Sequence, residues 1–444
     1  MASIAVLLII LGCAVLQYLK GTVVRAFAAI MVAISSLIAA FSFFELLAGF
    51  IVSHAESIAN LAQPISFALL FIIIFAVLQT LVIYLTRDKV NLGLWPERIG
   101  RAVCGLILGF IVSGVLVTAL AMAPLPPQYP YERFDPSNPK PNSPTTVLMN
   151  VDGFVTNLFS TISNGSLSGK KSFATLHPDY LNQVFLNRLP KDVSIITSST
   201  PAITVPIDKA VWPAPDVIKT QIDELNSKGE LFKSPGRPVG PYSPLIVRIG
   251  IKRNAIKIEQ KVTAGKFTTS QLRLICKRSN ELQDPLSGKA INVYPVGYLS
   301  ARDQVHAATE VELNSNTDFG NDVIRNIDFV FCVPNGYTPV LAEFKLNSVA
   351  QILQGAVLKD AAEAPSPAAT FYQRSQGQDQ NPGMGGPGMR GGGRGFGNRG
   401  GGGFPNRGGA GNYQPGGQNN NPQNSAQNLT EGLTGIGTSD ELGN

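Results

Sequence analysis

The chain has 444 residues, of which 44% are hydrophobic and 15% charged. Its formal net charge of +6 is modest and partly carried by the C-terminal tail, so no basic nucleic-acid face is read into the middle of the chain. Four cysteines are too few for a disulfide scaffold or a zinc framework.

Four apolar runs come first: Ala2–Leu19, Ala26–Phe44 (extending toward Val52), Ile65–Leu85 and Ala102–Ala123. Each is near the roughly 20 residues that carry a helix across a bilayer. None shows the polar face of a soluble core helix. The first run has no Lys or Arg at its start and no Ala-x-Ala site after it, so it reads as a membrane helix rather than a cleaved leader. Lys20 and Arg25 lie between runs one and two, and Arg87, Lys89, Arg98 and Arg101 between runs three and four. The loop between runs two and three has neither residue type. Short basic loops stay cytoplasmic, which places both chain ends on the far side. Tyr84 and Trp95 fit the inner interface, and Tyr129 and Tyr131 the outer one.

Residues 124–144 are proline-rich and predict an extended, semi-rigid linker that could hold the next domain on the order of 60 Å from the bilayer. That domain, 145–350, opens with Val147, Val151, Phe154, Leu158 and Ile162 at helical spacing. A second short helix is expected at "HPDYLNQVF", with Pro178 at its first position. Strands follow at "SPLIVRIGIK", "NAIKIEQKV", "SQLRLICKR", "INVYPVGYL", "NIDFVFCVP" and "YTPVLAEFKL", the last two joined by Asn335-Gly336. Their spacing predicts a mainly-β, immunoglobulin-like sandwich with two short helices. Residues 364–444 hold too few apolar residues for a core and predict a disordered Gly/Asn/Gln/Arg-rich tail.

Few residues carry chemistry. Gly105 and Gly109, with Ser113 on the same face, form a small-residue stripe that lets two helices approach closely. Glu45 falls at the outer end of the second helix, where it reads as an interfacial carboxylate rather than part of an ion path. "NGSLSGKKS" lacks the spacing of a phosphate loop and reads as a helix-capping turn. His177 and Asp179 find no third metal ligand and suit a helix start. Cys276 and Cys332 each end a predicted strand and are a candidate disulfide in an oxidising compartment. No catalytic, cofactor-binding or metal site is expected.

"LKGTVVRAF" with Gly21 and Arg25, followed by "PERIGRAVCGLILGF" with Glu97, Arg98, Gly100, Gly105 and Gly109, resembles the colicin V production (CvpA) family of bacterial inner-membrane proteins. The resemblance covers residues 1–123. Leu108 stands where family members often carry Arg before the last glycine of the ladder. The resemblance implies a multi-pass protein linked to toxin production or export and to envelope integrity, with no known reaction. The expected role is helix packing and recruitment of a protein partner in the envelope or secretion machinery, with membrane lipids as surroundings and a homo-oligomer as one assembly. Two rival readings are an oligomeric small channel or transporter, and an RNA-binding tether using the arginines among the glycines of 388–412. A periplasmic tail would keep nucleic acid out of reach.

Overall fold

The computed structural model describes residues 2–368, apart from Gly21, 56–57, 59–60, 87–92, 166–171, 190–201, 256–263, 315 and 347. The glycine–arginine segment 388–412 and Gly21 therefore lie outside the described residues. Four long helices open the chain: α1 (Ala2–Lys20), α2 (Val23–His54), α3 (Ala62–Leu85) and α4 (Leu94–Met122). All four are long and apolar enough to cross a membrane. They leave large apolar side chains such as Leu8, Ile72, Val77 and Leu85 exposed, which a lipid environment covers at no cost. α2 starts earlier than its apolar run because Thr22 caps it, accepting the Arg25 backbone N–H at 3.4 Å.

α4 is the centre of the bundle because its glycines admit neighbours. Gly105 and Gly109 receive α1, Gly100 faces Val23 of α2, and Gly114 receives the backbone of Val151. At one end of the bundle Arg25 donates to the Thr86 carbonyl at 2.9 Å, just past α3. Arg101 donates to the Tyr18 carbonyl at 3.3 Å and pairs with Glu97 at 3.7 Å. These cations sit where carbonyls at helix C-termini lack partners. Arg25 and Arg101, from the helix starts beside the two basic loops, thus share one end of the bundle.

The described residues after α4 are built onto the opposite end. Three helices form its base: α5 (Val151–Asn164), α6 (Phe173–Leu176) and α7 (Tyr180–Arg188). α5 is the expected amphipathic helix, but its buried face is rotated. It buries Val151, Val155 and Phe159, while Phe154 stays exposed against Phe110 of α4. The cause is polar: Asp152 and Thr156 are also buried, Asp152 accepting from the Tyr131 hydroxyl at 2.5 Å and Thr156 donating to the Asp152 carbonyl at 3.0 Å. α7 begins at Tyr180, so Pro178 precedes the helix and Asp179 is its left-handed N-cap (φ +60°), not a first-turn residue.

The linker is not a spacer. Residues 124–144 fold back as a strap between α4 and α7. Phe134 is buried, and Arg133 donates to Asn182 at 2.7 Å and to the Tyr131 hydroxyl at 2.9 Å. Asn182 in turn donates to the Pro141 carbonyl at 2.9 Å. Proline density predicts an extended chain, but the Tyr, Arg and Phe interleaved with it have a core to enter.

The β region contains β1 (Ile203–Thr204), β2 (Val211–Pro213), helix α8 (Asp216–Ser227), β3 (Tyr242–Lys252), β4 (Ala264–Thr268), β5 (Leu272–Arg278), β6 (Ile291–Val293), β7 (Pro295–Ala301), β8 (Gln304–Ala307), β9 (Glu310–Asn314), β10 (Ile324–Pro334), β11 (Tyr337–Phe344) and β12 (Ser348–Gln351). One sheet runs β1-β3-β10-β7-β8, with β2 also on β3; a second runs β12-β11-β5-β6; β4 and β9 form a ribbon. All these pairings are antiparallel. The two larger sheets and the ribbon share one core, with Ile249, Phe267, Leu274, Phe329, Phe331 and Phe344 among its residues. β10 alternates: Phe329, Phe331 and Val333 face that core, and Val330 and Cys332 face a second one under α8.

One expected strand and one expected strand pair divide between the sheets instead. "INVYPVGYL" breaks at Tyr294 into β6 and β7, one in each sheet. β10 and β11 flank the Asn335-Gly336 turn (Gly336 φ +82°) but also lie in different sheets. In "NAIKIEQKV", Asn254 and Ala255 fall in a 3-10 turn, Arg253–Ala255, and the rest is outside the described residues. The candidate disulfide is corrected too. Cys276 and Cys332 are free, buried thiols, because Cys276 faces the shared core and Cys332 the core under α8. Burial raises the pKa of both.

Candidate functional site

The junction between helices and β domain starts from a row of aromatics. Phe41 of α2 packs on Phe67 of α3 at 4.7 Å between ring centroids, on Phe159 of α5 at 4.9 Å (stacked) and on Phe173 of α6 at 5.5 Å. Phe44, one turn further along α2, meets Phe67 and Tyr180 of α7. Such pairs contribute about 0.5–1.5 kcal/mol each beyond burial of their area. Arg188, at the end of α7, closes the other side. Its guanidinium donates to the carbonyls of Ala121, Leu125, Pro126 and Tyr129, satisfying the end of α4. Burial lowers its pKa to about 10, so it stays charged at neutral pH.

Beside the aromatics runs a chain of charged groups. Glu45, the next residue on α2, meets His177 Nε2 at 2.7 Å. His177 Nδ1 lies 3.1 Å from Gln183 Oε1. Gln183 donates its Nε2 to the Pro178 carbonyl, so its oxygen faces the ring and His177 Nδ1 is the donor. Arg273 of β5 follows, 3.4 Å from His177 Nδ1, donating to the Leu176 carbonyl at 3.0 Å and to Glu343 of β11 at 2.5 Å. It also donates to Asn292 of β6, which donates to the Pro178 carbonyl. The Arg273 and Glu343 side chains are 4% and 1% exposed, so neither ion has water as a substitute partner. Glu343 Oε1 and the Tyr180 and Tyr294 hydroxyls find no hydrogen-bond partner among the described residues. A cleft of about 520 Å³, lined by Pro141, Asp179, Arg237, Asn292 and Tyr294, reaches the same region from the solvent side.

This arrangement can hold and exchange a proton at His177. Burial pulls the His177 pKa down, but the Glu45 carboxylate, its hydrogen bond and the Glu343 charge outweigh that, and the net shift is upward. Arg273 acts in the opposite direction. A raised histidine stabilises the fold fully below its unfolded pKa and loses that contribution as pH rises through the folded value. Thermal unfolding of the detergent-solubilised chain is therefore expected at lower temperature on the alkaline side of this transition, and His177→Gln should flatten the profile. An unchanged pH profile in H177Q would assign the dependence to another group.

The sequence-predicted residues fall into two places. Gly105 and Gly109 lie against α1, and Ser113 is buried beside them with its hydroxyl on the Phe110 carbonyl at 2.9 Å. Arg25, Glu97 and Gly100 gather at the basic end, where Arg98 is exposed. None of them belongs to the ion chain. Glu45 and His177 were visible in the sequence only singly, and Arg273 and Glu343 sit within strands that read as ordinary β segments. No group of three or more metal-ligating side chains occurs among the described residues. These features define a membrane protein of four apolar helices with a mainly-β domain seated directly on them. No protein-family model, curated protein or solved structure matches the chain.

Proposed function

We propose that this is a non-enzymatic envelope protein of the colicin V production type, resident in a bacterial inner membrane, that holds its β domain against the membrane to recruit a protein partner. The observation that carries this reading is the junction: aromatic packing and the Glu45–His177 contact fix the β domain onto the helix ends rather than on a stalk. A platform held this way presents its sheets at a set height and angle. In this reading the β domain is an immunoglobulin-like sandwich, supported by two antiparallel sheets over one core. Toxin production or export is the process implied by the family resemblance, and lipids contact the exposed apolar faces of α1 to α4.

Orientation follows from the basic ends. In this reading Arg25 and Arg101, which lie together away from the β domain, mark the cytoplasmic end, and the β domain and both termini are periplasmic. Alkaline phosphatase fused after Pro144 is expected to be active and fused after Lys89 inactive; the reverse pattern removes the topology. Crosslinking from the β domain then identifies the partner. A transporter reading requires Glu45 to face a path, and here its carboxylate is engaged by His177. In this topology the tail is a tether or a weak contact to anionic envelope polymers, not a reader of RNA.

A further inference from the structure

The face of the larger sheet under α8 carries a second buried ion pair, on other strands than the first. Arg248 of β3 and Asp328 of β10 are cross-strand partners, bonded twice at 2.7 and 2.9 Å. The Arg248 guanidinium lies 5.4 Å from the Trp212 ring centroid. The two side chains are 13% and 1% exposed. Each also holds a piece of main chain from the C-terminal extension. Arg248 donates to the Ser366 carbonyl at 2.7 Å, and Asp328 accepts the Ala368 N–H at 3.3 Å. Ala364 and Ala368 rest against the cluster containing Trp212, Ile218 and Val330, while Ser366 is exposed.

The carbonyl of one residue and the N–H of the second residue after it point to the same edge of an extended chain. An arginine–aspartate pair reading those two groups imitates the edge of a strand with side chains. It reads backbone, so it sets conformation rather than sequence. Pro365 and Pro367 supply that conformation: they favour an extended chain at little entropic cost and carry no N–H to be left unpaired. An aromatic wall, a proline-containing extended chain and main-chain hydrogen bonds together are how grooves bind such peptides.

We propose that Trp212, Arg248 and Asp328 form a recognition groove for an extended proline-containing peptide, and that residues 364–368 of the same chain occupy it in cis. The root of the tail is then a plug, and the groove binds a peptide of this kind from outside only when the plug leaves. This goes beyond the partner platform proposed above and does not depend on it.

The test uses the full chain with Trp95→Phe, which leaves Trp212 as the one tryptophan. Residues 364–368 are replaced by glycine, and a synthetic peptide of residues 363–369 is titrated in. Trp212 emission is expected to shift with saturation in the glycine variant and to stay flat in the chain with its own segment. Affinity is expected to fall on the order of tenfold, about 1.4 kcal/mol, for a peptide with both prolines changed to glycine and for the glycine variant carrying Asp328→Asn. No binding to a glycine variant that keeps a cooperative melt overturns the proposal, as does equal binding to the intact chain. If the glycine variant does not melt cooperatively, Pro365→Gly/Pro367→Gly in the chain replaces it, and absent binding or binding equal to that of the intact chain again overturns the proposal.

Discussion

Arg273→Ala is expected to lower the stability of the folded chain by about 3–5 kcal/mol, among the largest effects of any single substitution in the β domain. Arg273 is the cation of the buried chain, and Glu343 is 1% exposed with one carboxylate oxygen already unpartnered. Removing Arg273 leaves a buried carboxylate facing Glu45 through His177. Glu343 must then take up a proton or draw in water, and both cost stability. The loss also strips a donor from the Leu176 carbonyl and from Asn292, which hold the α6–α7 turn over β5 and β6. The control is the double substitution Arg273→Met/Glu343→Leu. Replacing both ions by apolar side chains of similar shape is often neutral, so the double variant should recover most of the loss. Thermal or denaturant unfolding in detergent reads both. A near-native R273A would mean the pair contributes nothing net, and a double variant as weak as the single would assign the effect to packing.

How much of this was legible in the sequence follows from how local each signal is. The four membrane helices were, because each declares itself through its own apolar run. β3, β5, β10 and β11 were too, since their β-branched and aromatic residues lie within a few positions of one another. β1, β2, β8 and β12 were not: they span two to four residues each, too few to show a period, and β1 and β2 exist because the distant β3 pairs with them, while β8 and β12 are short returns onto β7 and β11. The sheet change at Tyr294 is also non-local, since the residues on either side look alike and differ only in their partners. The ion chain was the least visible. Arg273 meets Glu343 from 70 residues away and His177 from 96, so no spacing rule applies. What the sequence did offer was a carboxylate at the outer end of an apolar helix and a histidine in a chain with three. The strap misled for a related reason. Prolines report local stiffness, whereas Arg133 and Phe134 report burial only once a site such as Asn182 exists to receive them.

Gly105→Leu combined with Gly109→Leu is expected to expel α1 from the bundle. A Cβ at Gly105 would lie 2.7 Å from the Ala14 Cα and 3.0 Å from the Cys13 carbonyl; one at Gly109 would lie 2.7 Å from the Ile10 Cα. The obstacles are backbone atoms, so no rotamer change in α1 relieves them, and the whole helix must move out. Overpacking of this kind costs about 1–3 kcal/mol at a site that can yield, and more where it cannot. Two sites one turn apart on the same contact leave α1 no alternative seat. The close approach is within one chain, so the expected loss is of the folded protomer, read as less protein extracted in folded form and faster maleimide labelling of Cys13, which packs at this contact. Gly12 provides the contrast on α1 itself: a Cβ there meets nothing within 4 Å, so Gly12→Ala is expected to be tolerated and to gain slightly in helix propensity. Equal yield and unchanged Cys13 labelling in the double leucine variant would remove the glycine contact as the reason α1 packs where it does.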